Sequence, residues 1–450
     1  MPGKFWTKNK RGPLKGLIHA AVLAMAALSL AAINTAHADM IGHGGMVRSV
    51  AVSPDGTRVM TVGFDYAVKL WDFVEQSEIA DLEGHDGPVN AAVFLPDGKR
   101  ALTVSDDRAA ILWDLTTFKA LHVLTNHAAK VMAVAVNDQG SIGATGSWDR
   151  TIRLWNLQTG EESRVIPLVS NVNALAFIAG NNLLASGGHD GVIRLWDTMR
   201  GTLQGELKGH GWGVTQLAAT PDGKRLLSTG TDGTVRIWDI ATQTEVGQLV
   251  GHDGPVFGLA INNSGREAVT VDRFGMLLRW NLENSQPKGS LKVHEKAAWA
   301  VAFTPNSRFV VTGGTDETAR VWHLETGDRI GTAIDNDTEP KPWLESKHPG
   351  ARLFRKCARC HAIRADARRR SGPHFEGIIG RKAGAVEGYK YSGALRNVSY
   401  RWTRKNIAGL FREGPDVFLP GTKMPMQQIL DPAELNALID YIDEITRTSE

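Results

Sequence analysis

Apolar and polar residues alternate along much of the chain, and the alternating stretches return at a nearly constant interval. Residues 47–52 have the period-2 pattern of a half-buried strand, and the turn sequence Pro54-Asp55-Gly56 follows them. Two more strand patterns come next, and residues 79–82 provide a fourth before Gly-His opens the next unit. A four-stranded sheet of this kind cannot bury both of its faces alone. The pattern therefore predicts an array of sheets packed against each other.

Tryptophan recurs at one place in every unit. It occupies positions 71, 113, 155, 196, 238, 280 and 322, in steps of 42 or 41 residues. A histidine lies 28 residues before it in six of the seven units, at positions 43, 85, 127, 210, 252 and 294. An aspartate lies six residues before it in six units, at positions 65, 107, 149, 190, 232 and 316. This period and these residues resemble the WD-repeat family, which implies a seven-bladed β-propeller with four strands per blade over residues 39–335.

In that family the histidine, a Ser or Thr, the aspartate and the tryptophan of one repeat form a structural hydrogen-bond network. Five units here carry the full set, so we expect their histidines to be satisfied core residues rather than metal ligands. Two units depart: Pro167-Leu168 replaces Gly-His in the fourth, and Phe274 stands at the aspartate position of the sixth. These losses either reflect sequence drift or mark the side of the propeller on which a partner or the cytochrome domain docks. The first strand pattern begins soon after residue 39, so the ring can close by blade packing without a shared strand.

The candidate chemistry lies behind the repeats, at Cys357-Ala358-Arg359-Cys360-His361. This single C-x-x-C-H is the haem attachment signature, in which Cys357 and Cys360 hold the haem covalently and His361 reaches the iron. These are the only two cysteines in 450 residues. A redox C-x-x-C does not need the following histidine, and a zinc site would need ligands that the chain lacks. We therefore predict one covalently attached haem c.

A second axial ligand is predicted in the run Pro420-Gly421-Thr422-Lys423-Met424. A methionine thioether opposite a histidine is a standard haem iron pair, and it raises the reduction potential. Because Met424 stands in a Pro/Gly turn, it suits a ligand loop better than a core position. Met426 is the competing candidate.

Residues 350–450 resemble the class I c-type cytochromes, through the haem motif, Gly372-Pro373 and the run Gly380-Arg381-Lys382-Ala383-Gly384. The resemblance implies an all-α domain with His361 and Met424 as axial ligands. It also implies that the Pro373 carbonyl orients His361. The residues that it implies as hydrogen-bond donors to the haem propionates are Arg381, Tyr391 and Trp402. Phe411 is a departure, since the family often has there a tyrosine bonded to the methionine sulfur.

The last helix is predicted over residues 431–445. Its apolar residues follow the helical period and share one face: Leu435, Leu438, Ile439 and Ile442.

Residues 1–38 have the features of a secretory signal peptide. A basic start is followed by the apolar run 16–33 and by Ala36-His37-Ala38, a small-residue cleavage site before Asp39. The alternative is an uncleaved membrane anchor, because the apolar run is just long enough to span a bilayer. With cleavage, the protein is expected in the periplasm without a membrane segment, where bacterial c-type haem is attached.

Charge divides the chain into unlike parts. Residues 341–450 hold 20 Lys and Arg against 12 Asp and Glu, a formal charge of +8. The segment 1–38 carries +5, which leaves −10 for residues 39–340 of the whole-chain total of +3. Residues 336–349 are polar and contain three prolines, which predicts a semi-stiff linker.

An acidic propeller and a basic cytochrome can dock to each other, or the basic haem face can steer the cytochrome to an acidic redox partner. That face is formed by Lys356, Arg359, Lys382 and Lys423. The run Arg368-Arg369-Arg370 is discounted as a nucleic-acid site, because an exported haem protein rarely meets nucleic acid.

The predicted function is single-electron transfer between redox proteins, with the propeller as a protein-docking platform rather than an enzyme. Candidate contact residues are Arg48, Met132, Trp148, Trp212, Phe257 and Trp299. One alternative is a redox enzyme in which the propeller binds a substrate or second cofactor and passes electrons to the haem. Another is a haem peroxidase or gas sensor in which Met424 leaves the iron.

Overall fold

The structure is a computed structural model that describes residues 39–180, 182–331, 341–358, 361–366, 372–387, 389, 391–422, 424 and 427–447. The predicted signal segment 1–38 lies outside the described residues. Residues 39–331 form strands and turns, and helices are the regular elements of residues 341–447 apart from one isolated bridge, Lys382–Arg401. The predicted fold class, an all-β propeller followed by an all-α domain, is confirmed.

The propeller has seven antiparallel sheets, whose strands neighbour one another in sequence order from the centre outward. Blades one to three contain β2 Val47–Val52, β3 Arg58–Gly63, β4 Val68–Asp72, β5 Glu78–Asp81, β6 Val89–Phe94, β7 Arg100–Ser105, β8 Ala110–Asp114, β9 Lys119–Leu124, β10 Val131–Val136, β11 Ile142–Ser147, β12 Thr151–Asn156 and β13 Glu162–Pro167. Blades four and five contain β14 Val172–Ile178, β15 Leu183–Gly188, β16 Val192–Asp197, β17 Thr202–Lys208, β18 Val214–Ala219, β19 Arg225–Gly230, β20 Val235–Asp239 and β21 Thr244–Leu249. Blades six and seven contain β22 Val256–Ile261, β23 Glu267–Asp272, β24 Met276–Asn281, β25 Gln286–Lys292, β26 Ala298–Phe303, β27 Phe309–Gly314, β28 Thr318–His323 and β29 Arg329–Ile330.

The ring is complete because the innermost strand of each blade contacts those of both neighbouring blades. The order runs β2, β6, β10, β14, β18, β22 and β26, and β26 contacts β2 again. Apolar clusters fill the spaces between blades, as where Leu70 of blade one packs in one cluster with Trp113 of blade two. The second and third strands of the blades are mostly buried, whereas the outer strands β5, β9 and β25 are mostly exposed. Burial of the inner strands between blades is the physical reason that the repeats occur as an array.

A shared strand closes the ring, which corrects the expectation of closure by packing alone. The strand β1, Met40–Ile41, pairs with β28 of the last blade, with Met40 opposite Ala319. The strand β29 pairs with the other half of the same edge of β28. Asp39 beside them is buried, accepts a hydrogen bond from Arg329 Nε at 2.8 Å and faces Arg320 Nε at 3.5 Å. The outer strand of blade seven therefore comes from both ends of the array.

The helical region contains α1 Pro342–Glu345, α2 Pro349–Cys357, α3 Gly393–Arg396, α4 Arg404–Glu413, α5 Pro415–Phe418 and α6 Pro432–Thr446. Helix α6 begins at the N-cap Asp431, and its predicted apolar face, Leu435, Leu438, Ile439 and Ile442, is buried.

Helices α2 and α6 approach closely at Gly350. A Cβ built there would lie 2.0 Å from Ala437 O and 2.8 Å from Tyr441 Cβ. Only glycine permits this approach of the two backbones.

The predicted linker 336–349 ends earlier than expected. Residues 332–340 lie outside the described residues, but α1 buries Trp343 in the helical core, 5.6 Å from Phe354 by ring centroid. The helical domain thus begins before Gly350. Across the described residues, no helix is long and apolar enough to cross a membrane.

Candidate functional site

The haem motif starts where helix α2 ends. Cys357 is the last residue of α2 and is buried in the helical core, and His361 N–H donates to Cys357 O at 3.0 Å. This bond brings the backbone of His361 beside that of Cys357. Arg359 and Cys360 lie outside the described residues.

The ring of His361 is held from two directions. Its Nδ1 lies 2.8 Å from Pro373 O, which is the contact expected from the resemblance, and its ring stacks on Phe375 at 4.3 Å and 13°. A carbonyl only accepts, so Nδ1 carries the proton and donates. In this tautomer Nε2 carries the lone pair, so it is the nitrogen that would ligate iron.

Met424 follows a tight turn. Thr422 N–H donates to Leu419 O at 3.0 Å, and Gly421 has the positive φ of 85° that this turn requires. The half-buried side chain of Met424 packs against the same apolar cluster that contains Cys357 and Phe411. Lys423 and the competing Met426 lie outside the described residues. The axial role of Met424 stays a prediction.

Two of the three predicted propionate donors are joined through their backbones. Trp402 N–H donates to Arg381 O at 2.8 Å, beside the Lys382–Arg401 bridge. The Arg381 guanidinium donates to Glu376 O at 2.8 Å and to His374 O at 2.6 Å. Arg381 therefore also braces the loop that carries Pro373.

Tyr391, the third predicted donor, is buried near these residues. Its hydroxyl accepts from Val386 N–H at 3.1 Å, so its own O–H remains available to donate. Burial raises the pKa of Tyr391, with the charge of Arg381 acting in the opposite direction. The phenol therefore stays neutral and able to donate.

Tyr400 is a candidate that sequence reasoning missed. Its ring meets Trp402 at 5.3 Å, and its hydroxyl is buried without a hydrogen-bond partner among the described residues. Leaving a buried hydroxyl unbonded costs about 1–3 kcal/mol. A haem carboxylate is an acceptor that would satisfy it, so Tyr400 joins Arg381, Tyr391 and Trp402 as a candidate donor. No sequence signal distinguishes it from a core tyrosine.

The propeller histidines form the expected networks. In blade one, Trp71 Nε1 donates to Thr61 Oγ1 at 2.7 Å, Thr61 lies 2.7 Å from His43 Nε2, and His43 Nδ1 lies 3.0 Å from Asp65. The same chain recurs in blades two, three, five and seven, from Trp113, Trp155, Trp238 and Trp322. Each buried polar group has a partner, which makes these histidines structural.

Blade six also has a complete network, in place of the loss expected from Phe274. His252 Nδ1 lies 2.8 Å from Asp272, and its Nε2 lies 2.6 Å from Thr270, which accepts from Trp280 at 2.8 Å. Asp272 is two residues upstream of the family position, and the loop geometry brings its carboxylate into place. Phe274 takes no part in this network, and its side chain is 44% exposed.

Blade four keeps part of the network only. Trp196 Nε1 donates to Ser186 Oγ at 2.8 Å, whereas Asp190 pairs with Arg194 at 2.8 Å, since Leu168 stands where the other blades have the network histidine. Among the described residues, no group of three or more His, Cys, Asp or Glu is arranged to hold a metal ion.

The predicted contact residues of the propeller lie near the start of the innermost strands. Arg48, Met132, Phe257 and Trp299 are each the second residue of such a strand, at a β-bulge in its pairing with the next strand. A bulge leaves this residue out of the pairing and re-aims its side chain. Trp148 and Trp212 lie in loops, 39% and 72% exposed.

Three family models match the chain. The IFT122 first beta-propeller model matches residues 88–339, the WD domain, G-beta repeat model matches residues 35–72, and the cytochrome c model matches residues 348–446. Cytochrome c of Cochliobolus lunatus is 34% identical over 99 residues, which are 22% of this chain and 91% of that protein. Cytochrome c of Arabidopsis thaliana is 35% identical over 99 residues, which are 22% of this chain and 88% of that protein. Cytochrome c2 of Blastochloris viridis is 35% identical over 95 residues, which are 21% of this chain and 74% of that protein.

The chain therefore belongs to the β-propeller family over its repeat array and to the cytochrome c family over its C-terminal region. The C-terminal domain carries covalently bound haem c, as its relatives imply. The described residues fit this group: a buried cysteine sulfur, an imidazole whose Nδ1 contacts the Pro373 carbonyl, and buried hydroxyls able to donate. Haem c supplies an iron that accepts and releases one electron, and the propeller is of a kind suited to protein interaction.

Proposed function

We propose that this chain is a periplasmic monohaem c-type cytochrome that passes single electrons between redox proteins, which dock on its propeller. The observation that carries the proposal is the 2.8 Å bond between His361 Nδ1 and Pro373 O. It selects the tautomer that ligates through Nε2, in a domain whose other loop presents Met424. An iron with a ligand on each side offers no open position to a substrate, which favours outer-sphere electron transfer over catalysis.

The proposed location rests on the first residues of the chain. A basic start, the apolar run 16–33 and Ala36-His37-Ala38 together favour export and cleavage. N-terminal sequencing of the mature protein tests this, with Asp39 as the expected first residue and retention of Met1 as the contrary result.

The proposed face for electron exchange is the basic surface beside the haem motif. Lys356 and Lys382 are exposed there, and Arg359 and Lys423 lie outside the described residues. Exposed cations around a haem edge attract acidic redox proteins and accelerate the encounter at low salt.

Carbon monoxide tests the electron-transfer assignment on the holoprotein. The reduced protein is expected to show no spectral change under carbon monoxide at neutral pH, since Met424 occupies the second axial position. Prompt formation of a carbon monoxide complex would instead support the peroxidase or gas-sensor alternative.

A second assay separates a carrier from an enzyme. Solubilised membranes from the producing cells are expected to reduce or oxidise the haem at a rate that falls as salt is added. Reduction by periplasmic small molecules alone, with all other proteins removed, would favour the alternative in which the propeller holds a substrate.

A further inference from the structure

All seven innermost strands begin at the same end of the ring. Side chains at this end link matching positions of successive blades, with Asn90 donating to Val131 O (2.9 Å), Asn173 to Val214 O (3.1 Å) and Thr215 to Val256 O (2.5 Å). The loops between second and third strands meet the same end, as where Trp148 N–H donates to Lys130 O at 3.0 Å. We call this end, formed by those strand starts and loops, the N-terminal face of the propeller.

Exposed aromatic side chains are concentrated on the N-terminal face. Five Phe and Trp side chains are strongly exposed in the part of the chain that the structure describes, and four of them lie on this face: Phe64, Trp148, Trp212 and Phe274. They come from blades one, three, five and six. Large exposed aromatics of this kind are the anchors of protein interfaces.

A stack of three side chains lies at the centre of the N-terminal face. The ring of Phe257 on blade six stacks on that of Trp299 on blade seven at 4.2 Å and 13°. The guanidinium of Arg48, from blade one, lies 4.4 Å from the centre of the Trp299 ring. Trp299 Nε1 donates to Thr315 Oγ1 at 3.0 Å, which fixes the ring. Arg48 forms no hydrogen bond or ion pair with any described residue, and burial lowers its pKa while the charge of Asp106 opposes this.

Cations on the third strands of the blades are paired differently. Two residues before the tryptophan, on the third strand, five blades have a Lys or Arg paired with an acid: Lys69–Glu78, Arg153–Glu162, Arg194–Glu206, Arg236–Glu245 and Arg320–Asp316. In blade six the paired cation is one residue later, as Arg279–Glu267. On the N-terminal face, Lys130 instead lies 3.5 Å from the Trp148 ring and Arg273 lies 5.2 Å from the Phe274 ring. These cations are held by aromatic rings and keep their donors for another molecule.

We propose that the N-terminal face binds an acidic segment of a partner protein, with an Asp or Glu carboxylate of that segment on Arg48. The Arg48 guanidinium lies 4.4 Å from the centre of the Trp299 ring and forms no hydrogen bond with a described residue, so two of its N–H groups can match the two oxygens of a carboxylate. The surrounding aromatics then receive apolar side chains of the same segment. This inference rests on the proposed docking function and names its face and the chemistry of its partner.

Charge and distance select this occupant. The cytochrome region of the same chain carries +8 over residues 341–450, so it is the wrong partner for Arg48, Lys130 and Arg273. The exposed aromatics belong to four different blades, so a ligand that uses them must extend across the ring. A protein segment meets both conditions.

The test measures peptide binding to the full-length mature holoprotein by fluorescence anisotropy. The probe is a labelled peptide that alternates Glu with Leu and Trp, and its control has Gln in place of every Glu. We expect the Glu peptide to bind more tightly. The R48Q variant should weaken its binding about tenfold or more, since a charge-assisted bidentate pair is lost. The W212A variant should weaken the binding of both peptides.

The matched control is R266Q. Arg266 is exposed between β22 and β23, at the opposite end of the blade, where it pairs with Glu283 at 3.3 Å. The R266Q variant removes the same charge as R48Q and is expected to leave binding of the Glu peptide unchanged. Equal losses in R48Q and R266Q would show general charge attraction and overturn the inference. Equal binding of both peptides, or no binding of the Glu peptide, would overturn it as well.

A conservative variant, R48K, distinguishes the loss of the carboxylate contact from a folding defect in R48Q. R48K keeps the charge but loses the planar pair of donors, so we expect most of the affinity to be lost at an unchanged melting temperature. Wild-type affinity in R48K would contradict the carboxylate geometry. Haem reduction by the membrane fraction is measured on the same samples. If peptide binding fails while that reaction continues, this inference is wrong and the electron-transfer proposal stands.

Discussion

Met40 and Ala319 are opposite partners in the antiparallel pair of β1 and β28. The first described strand is thereby part of the last blade, next to β29 on the same edge. A strand shared between the ends of the array resists opening of the ring, because both ends must detach before the blades can separate. The residues directly after the predicted cleavage site are thus structural.

Replacement of Met40 by Ala is expected to destabilise the propeller by about 2–4 kcal/mol, because a fully buried side chain leaves a cavity at the closure. Urea unfolding followed by tryptophan fluorescence measures this. The control is Met199→Ala, since the Met199 side chain is 63% exposed and should contribute little. Equal stability of both variants would mean that the ring closes without β1.

Propeller stability is expected to fall as the pH drops below about 6.5. Burial lowers the pKa of His127, His210 and His294 from the ordinary value of 6.5, although their aspartate partners oppose it. Below this pH the unfolded chain binds protons at these histidines that the folded chain does not bind. The stability that the neutral histidines contribute is therefore fully present above pH 6.5 and is lost below it. Each histidine contributes up to about 1.4 kcal/mol per pH unit within its window.

A second acidic window comes from Asp316. Burial alone would raise its pKa, but the hydrogen bond and charge of His294 hold it at about 2, below the ordinary 3.8. This contribution is lost as the pH falls from about 3.8 to 2.

The histidine window is tested by urea unfolding midpoints measured from pH 8 to 5. They should decrease for the wild type and equally for His122→Gln, which replaces a histidine outside the networks. Midpoints that rise on acidification would contradict the assignment of neutral buried histidines.

Gly350→Ala is expected to destabilise the cytochrome domain by about 1–3 kcal/mol, since the added Cβ forces α2 and α6 apart. The free energy of unfolding is measured from the haem absorbance of the holoprotein. Gly393→Ala is the matched control, because a Cβ at Gly393 meets no side chain or neighbouring segment of the described residues within 4 Å. A loss of similar size in both variants would point to a general effect of alanine rather than to the helix contact.

Met424→Ala is expected to lower the reduction potential and to open the iron to carbon monoxide, since the thioether stabilises the reduced state. Optical spectra and redox titration of the holoprotein measure both changes. The comparison is Met426→Ala, which should keep the wild-type spectrum. If Met424→Ala keeps it and Met426→Ala does not, Met426 is the axial ligand.

The haem site shows how far local motifs reach. Cys357 and His361 follow from a motif of five residues, and the resemblance led to the contact of His361 with Pro373, which the structure contains at 2.8 Å. The role of Tyr400 did not follow, because its burial depends on the packing of Trp402 and the chain around it. Similarly, Trp343 lies in a polar, proline-containing stretch and still enters the helical core.

The repeat period by itself determined seven blades, their strand order and the His–Thr–Trp networks, because each of these arises within one unit of the array. Only the tertiary structure decided how the ring closes, that Asp272 completes blade six, and which cations lie on aromatic rings. These features join residues of different blades or move a side chain by loop geometry. A two-residue strand such as β1 has no periodicity of its own, and its partner is chosen by the whole ring.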